Sequence, residues 1–335
     1  MIGQKVYWRV VPVLVASAVL GFGQTTGMYP PNDQTQPPIA NTTTRAAHPA
    51  GPGTINYVEG QVSLNGQALT ANSVGSAALS RGQVINTQYG YAEVLLTPGA
   101  FLRLGNGSEL RMLSAGLANT QVELVRGAAM LEVDQLIKDT TLTVSINETR
   151  TRIEKSGLYK FDAGQQAVSV LDGKASVEGP AGSKTLGKRD QVLLADAAPL
   201  KKHSFDENAV KAEPLYVWSM ARSQSESEAS GKAARNPSVY LAAGPGWFWD
   251  PYWGGYGFWP LTASLYSPFG GGFYSPAYFG FGYYGGYYGG FYPGWRYYGR
   301  GRVAGITAHP SIVRSSGFHS GGFSGGGFHG GGGRR

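Results

Sequence analysis

The sequence contains no cysteine in its 335 residues and only five histidines. Without cysteine there is no disulfide framework, no thiolate metal site and no lipid attachment residue at the end of a leader. An exported chain of this kind fits a bacterial envelope better than a small secreted animal domain. The histidines, His48, His203, His309, His319 and His329, fall in linkers and in the tail, outside the predicted β core. No H-E-x-x-H or G-x-S-x-G motif is present, and Ser, His and Asp are too scattered for a triad. The turn Gly105-Asn106-Gly107-Ser108 lacks the lysine of a phosphate loop. Glu132 and Asp134 stand two apart on one strand, which reads as a solvated face rather than a glycosidase pair. The expectation is therefore a protein with no catalytic residue, no cofactor and no metal site.

Excess charge is missing from the middle of the chain. Between Ala46 and Arg235 there are 19 Lys/Arg and 19 Asp/Glu, although the whole chain carries +7. The surplus belongs to the termini, chiefly to Arg296, Arg300, Arg302, Arg314, Arg334 and Arg335, which face only Asp250. No basic face on the folded part argues for nucleic acid. Arg300-Gly301-Arg302 among Tyr and Gly is like an RGG-type tail, but an exported tail does not normally meet RNA.

Long apolar runs are equally scarce. Val10–Leu20 stands alone, preceded by Lys5 and Arg9, and reads as the core of a secretory signal peptide over residues 1–23. Ala16-Ser17-Ala18 and Gly21–Gly23 offer small-residue cleavage sites; the alternative is an uncleaved anchor. Residues 24–53 are rich in Pro, Thr, Asn and Gln and read as a disordered linker.

From Thr54 to Pro199 the texture is that of a mainly β fold, with short apolar runs between glycine breaks. Ala92–Leu96 and Phe101–Leu104 flank Thr97-Pro98-Gly99-Ala100, which predicts a hairpin with a type II turn. The alternation groups Leu95, Leu102 and Leu104 on one face and Val94, Leu96 and Phe101 on the other. Both faces are apolar, so both should be covered. A local pattern of apolar, charged, Gly and apolar residues recurs around Gly60, Gly127 and Gly173. Three such corners predict a rolled or solenoid-like sheet of short strands.

These segments carry a family resemblance. Val58-Glu59-Gly60-Gln61-Val62 is followed by Gly82-Gln83-Val84-Ile85-Asn86-Thr87 and by Gly99-Ala100-Phe101-Leu102-Arg103-Leu104. Val122–Gly127, Gly157–Phe161 and Val168–Ala175 then continue the order. Together they resemble the FecR domain over about Gly53–Pro199. FecR-type regulators place such a β domain outside the cytoplasm, where it senses an outer-membrane transducer, and join it through a membrane helix to a cytoplasmic anti-sigma segment. Here nine residues precede the apolar run, so the anti-sigma role is not carried over. The resemblance implies the extracytoplasmic module alone.

Residues 200–235 read as a capping helix region: Pro214 opens one C-terminal helix, with Leu215, Trp218 and Ala221 on the stripe toward the β domain. Its second half, Ser223–Ala234, reads as solvent-exposed. Residues 236–335 hold most of the chain's 51 Gly, 20 Tyr and 7 Trp and read as a low-complexity, disordered tail. Tyr266-Ser267-Pro268-Phe269 and Phe273-Tyr274-Ser275-Pro276 form a short repeat within it. The reading is an exported, non-enzymatic protein of the periplasm or cell surface whose β domain binds an envelope protein partner, in cell-surface signalling. The alternative is a structural or adhesive surface protein, making peripheral envelope contact or self-associating through the tail.

Overall fold

The computed structural model describes residues 49–280 apart from 197 and 243–245. The signal peptide, most of the linker, His48, His309, His319, His329 and the arginines from Arg296 onward lie outside the described residues.

The first strands are β1 (Ile55–Leu64), β2 (Gln67–Leu69), β3 (Val84–Leu95), β4 (Ala100–Leu104) and β5 (Glu109–Gly116). Next come β6 (Asn119–Arg126), β7 (Ala128–Val133), β8 (Thr141–Ile146), β9 (Thr149–Ile153) and β10 (Gly157–Asp162). The series ends with β11 (Ala167–Asp172), β12 (Lys174–Gly179), β13 (Gly182–Gly187), β14 (Asp190–Leu193) and β15 (His203–Ser204). All belong to one sheet, ordered β13-β12-β9-β8-β6-β5-β3-β4-β7-β10-β11-β14-β15, with β1 and β2 against β3. The long β3 is the corner. Its start pairs with β5 and its end with β4, so the sheet bends there into two limbs. The limbs close over one apolar core, and β13 returns alongside β11 and β14. The mainly β, rolled architecture expected from the sequence is the one observed.

Glycine permits the corners. Gly60 and Gly90 face each other across β1 and β3, and a Cβ on Gly60 would stand 2.0 Å from the Tyr89 carbonyl oxygen. Gly127 and Gly173, at φ +77° and +99°, link strands that change limb. The β3–β4 hairpin has the expected turn: Ala100 N donates to Thr97 O at 2.7 Å, and Gly99 has φ +82°. Its faces differ from the alternation read in the sequence. Leu95 pairs with Phe101 and Val94 with Leu102, and directly opposite residues share a face. Ala92, Val94, Leu96, Leu102 and Leu104 therefore enter the inner core, while Glu93, Leu95, Phe101 and Arg103 face outward.

That outer face is covered, as both-sided apolarity demands. Helix α1 (Glu207–Lys211) leads into α2 (Pro214–Arg235), which lies across β4 and β7. Beside it sit β16 (Leu241–Ala242), β17 (Trp247–Asp250), β18 (Gly255–Phe258), β19 (Ser264–Tyr266) and β20 (Gly272–Tyr274). Two sequence expectations are corrected here. The segment from 246 to 280 was expected to be tail, yet Trp247, Tyr256, Phe258 and Phe273 are fully buried against Leu95 and Phe101, and Phe248 against Ala233 and Trp259. Its aromatics have an apolar sheet face to fill, and that outweighs the entropic cost of its glycines. The linker also ends earlier than expected: Ala50 is buried and Gly53 N bonds to Leu95 O.

The hairpin tip lies under this cover. A Cβ on Gly99 would stand 2.9 Å from Phe258 and 3.1 Å from Gln135 Cβ. We expect Gly99→Val to lower stability by about 1 kcal/mol or more, through both the positive φ and this crowding. An unchanged urea midpoint would contradict the turn as described.

Candidate functional site: an aromatic surface anchored by a buried ionic cluster

Opposite charges in adjacent strands occupy the centre of the covered face. Glu93 on β3 and Arg103 on β4 are directly paired, and Glu132 projects from β7 on the same side. Arg103 is fully buried and shared by three carboxyl groups: Nε to Glu93 Oε2 at 2.7 Å, Nη1 to Glu132 Oε2 at 2.5 Å and Nη2 to Glu226 Oε2 at 2.7 Å. A planar guanidinium with five donors can bridge three partners in this way, which an ammonium cannot.

Helix α2 brings the other half. Arg222 Nη2 donates to Glu93 Oε1 at 2.8 Å, and Ser223 Oγ donates to Glu132 Oε1 at 2.7 Å. Ser267, from the first Tyr-Ser-Pro repeat, also donates to Glu132. Asn56 Nδ2 of β1 donates to Glu93 Oε1 at 2.8 Å, while Asn56 Oδ1 accepts from Tyr256 N at 2.7 Å. Strand, helix and aromatic cover are thus joined through one polar cluster.

The buried stripe of α2 runs Leu215, Ser219, Arg222, Ser223, Glu226, Ser227, Ser230 and Ala233. Leu215 stands where the sequence placed it. Trp218 is half-buried and Ala221 is exposed. The second half of the helix is buried, contrary to expectation, because its Ser and Glu side chains find partners in the sheet and in β20. Ser230 Oγ, for example, donates to Tyr274 O and accepts from Tyr274 N, both at 3.0 Å. Glu132 and Asp134 do share one face, as read, but both are buried rather than solvated.

Burial raises the energy of every ion in the cluster, and the neighbours decide which remain charged. Burial pushes the Glu93 carboxyl up, but Arg222 and Arg103 outweigh this and hold it below the usual carboxylate range. Burial and the nearby Glu132 charge push Asp134 well above its ordinary value. Burial and the Glu93 charge do the same to Glu226. For Arg103, burial favours the neutral form, and three glutamates reverse it, raising its pKa.

This cluster fixes α2, and α2 sets up an aromatic surface at its N-terminal half. Trp218 stacks on Tyr91 at 4.7 Å between centroids and 14° between planes, and lies 5.9 Å from Tyr57. Its Nε1 donates to Glu59 Oε2 at 3.0 Å. The Arg222 guanidinium lies between Tyr57, at 4.2 Å, and Trp253, at 4.7 Å. The row on β3 continues from Tyr91 to Tyr89, which is 76% exposed. Val217 and Met220 carry the apolar character onto the outer side of the helix.

The arrangement suits recognition. Among the described residues no group of three His, Asp or Glu side chains could hold a metal ion. His203 is occupied with Asp196 at 2.6 Å. No helix among the described residues is long and apolar enough to cross a membrane. Fold and surface together define a mainly β domain closed by a helix.

Residues 83–176 match the FecR protein family, from the approach to β3 through the first half of β12. The family resemblance read from the motifs holds over that segment. Two crystal structures of a candidate anti-sigma factor from Parabacteroides distasonis ATCC 8503, at 2.50 Å and 1.65 Å resolution, are similar. Identity is 23% and 22%, and TM-score 0.34 in each case, over 38% of this chain. The chain spans only 62% and 63% of those chains. No curated protein matches the chain.

Proposed function

We propose that this chain is an exported, non-enzymatic envelope protein whose FecR-like domain holds a protein partner in a signalling role. The observation that carries this is the surface of Tyr57, Tyr91, Trp218 and Tyr89 beside the stacked Arg222. Tyr, Trp and Arg dominate the energetic centres of protein interfaces, because they bury large area at low entropic cost. The buried cluster supplies rigidity, holding Trp218 in place before any partner arrives. Export rests on the leader and on the family resemblance. The whole domain organisation proposed is a signal peptide, a linker, a β domain closed by α2 and by the segment to residue 280, and a remaining tail.

The adhesive alternative loses part of its basis. Trp247, Trp249 and Trp259 of the expected adhesive tail are buried within the fold. Tyr252, Tyr266 and Tyr278 of that tail stay exposed, and residues 281–335 lie outside the described residues.

A photo-crosslinking residue in place of Tyr89 tests the proposal in intact cells. The expected result is one discrete adduct with another envelope protein, absent when the same group replaces the exposed Arg150 on β9 of the other limb. No adduct from either position, or equal adducts from both, would contradict it.

A further inference from the structure

The polar cluster contains more acid than base. Four carboxyl groups, Glu93, Glu132, Asp134 and Glu226, are buried with two guanidiniums, Arg103 and Arg222. A dry site does not tolerate two uncompensated negative charges, so it is neutral only when two of the carboxyls hold protons. The hydrogen bonds indicate which two. Glu93 accepts from Asn56, Arg103 and Arg222; Glu132 accepts from Arg103, Ser223 and Ser267. No donor reaches either oxygen of Asp134, and its carboxyl lies against that of Glu132. Glu226 must share both of its guanidiniums with Glu93, whose charge it faces.

Five segments besides α2 bring groups to the cluster. β1 brings Asn56, β3 Glu93, β4 Arg103, β7 Glu132 with Asp134 just past its end, and the loop after β19 Ser267. Asp250 at the end of β17 is occupied in capping Tyr252 N and Trp253 N. Lys160 with Glu213, and Glu59 with Trp218, lie toward the N-terminal end of the helix, outside the dry centre.

We infer that α2 is a proton-linked latch: it stays closed on the sheet while the cluster keeps two protons, and its opening delivers them to solvent. On opening, the Glu226 and Asp134 carboxylic acids enter water, where each O–H bond ionises to carboxylate and hydrated proton. The sign follows from linkage. These two groups hold protons in the closed state above their ordinary values, 4.5 for Glu226 and 3.8 for Asp134. Their contribution to closure is complete below those values and is lost as pH rises through the raised ones. Glu93 acts oppositely, its contribution being lost as pH falls below its ordinary 4.5. The latch stands whether or not the aromatic surface binds a partner.

Hydrogen exchange of the full chain, read by mass spectrometry at pH 6, 7 and 8 and corrected for intrinsic rates, tests this. Peptides within Pro214–Arg235 should lose protection about tenfold per pH unit for one released proton, and up to about a hundredfold for two. Peptides from β8 and β9 should lose far less. The double variant Glu226→Gln with Asp134→Asn is neutral without protons and should show no such slope. If it fails to fold, the wild-type slope alone decides. Constant protection of α2 across the range, a slope shared equally by β8 and β9, or a slope retained in the folded double variant would overturn the latch.

Discussion

A chain ending at Arg235 should fail to fold stably, whereas one ending at Gly280 should retain the fold. The first cut removes Trp247, Tyr256, Phe258 and Phe273 from the outer face of β3 and β4, and Phe248 from Ala233 of α2. Each such burial contributes roughly 1.5–3 kcal/mol, and a whole domain is stable by only about 5–15 kcal/mol. The cut also takes away Ser267 from Glu132 and the Tyr256 backbone from Asn56, leaving polar groups of the cluster unpaired. Phe101, which packs edge-on against Trp247 at 5.5 Å, would face water. Circular dichroism and urea unfolding of the two truncated chains give the comparison. A cooperative transition at the wild-type midpoint for the shorter chain would contradict the account.

Replacing Arg103 with Met should cost about 3–5 kcal/mol, the usual penalty for leaving buried charge without its partner. Three carboxyl groups lose their common donor at once, and Arg222 reaches only Glu93 and Glu226. Arg103→Lys should recover little, since an ammonium cannot reproduce the planar fork. Near-UV circular dichroism would report the loss of the Trp218–Tyr91 stack together with the lowered urea midpoint. A shift below about 1 kcal/mol, the scale of an exposed pair, would mean that the cluster does not fasten the helix.

The two large expected effects fall on features that differ in how visible they were in the chain. The strands were legible because glycine breaks and apolar runs report β structure locally. Val84–Thr87, Val122–Arg126 and Gly157–Phe161 all fall on strands. The turn at Thr97–Ala100 was legible because Pro98 and Gly99 prescribe it. The side-chain faces of that hairpin were not, since they depend on the pairing register, which the turn residues alone leave open.

The ionic cluster was present as a signal that hydropathy does not weigh. Glu93 sits inside Ala92–Leu96 and Arg103 inside Phe101–Leu104, single opposite charges in the middle of apolar strands. Such residues are rarely buried unless paired. The rest needed tertiary structure. Ser223, Glu226, Ser227 and Ser230 look like a solvated helix face, and only the sheet beneath them supplies their partners. Likewise Gly-rich aromatic sequence reads as disorder until an apolar face exists for it to cover.

This β domain is completed by its own helix and aromatic segment, so that the folded unit extends to about residue 280. Limited proteolysis of the full chain, with the surviving fragment sized by mass spectrometry, tests it most directly. The predicted product retains α2 and everything through β20 and ends close to Gly280. A stable fragment ending near Arg235, with the segment from Leu241 to Tyr274 digested, would contradict it.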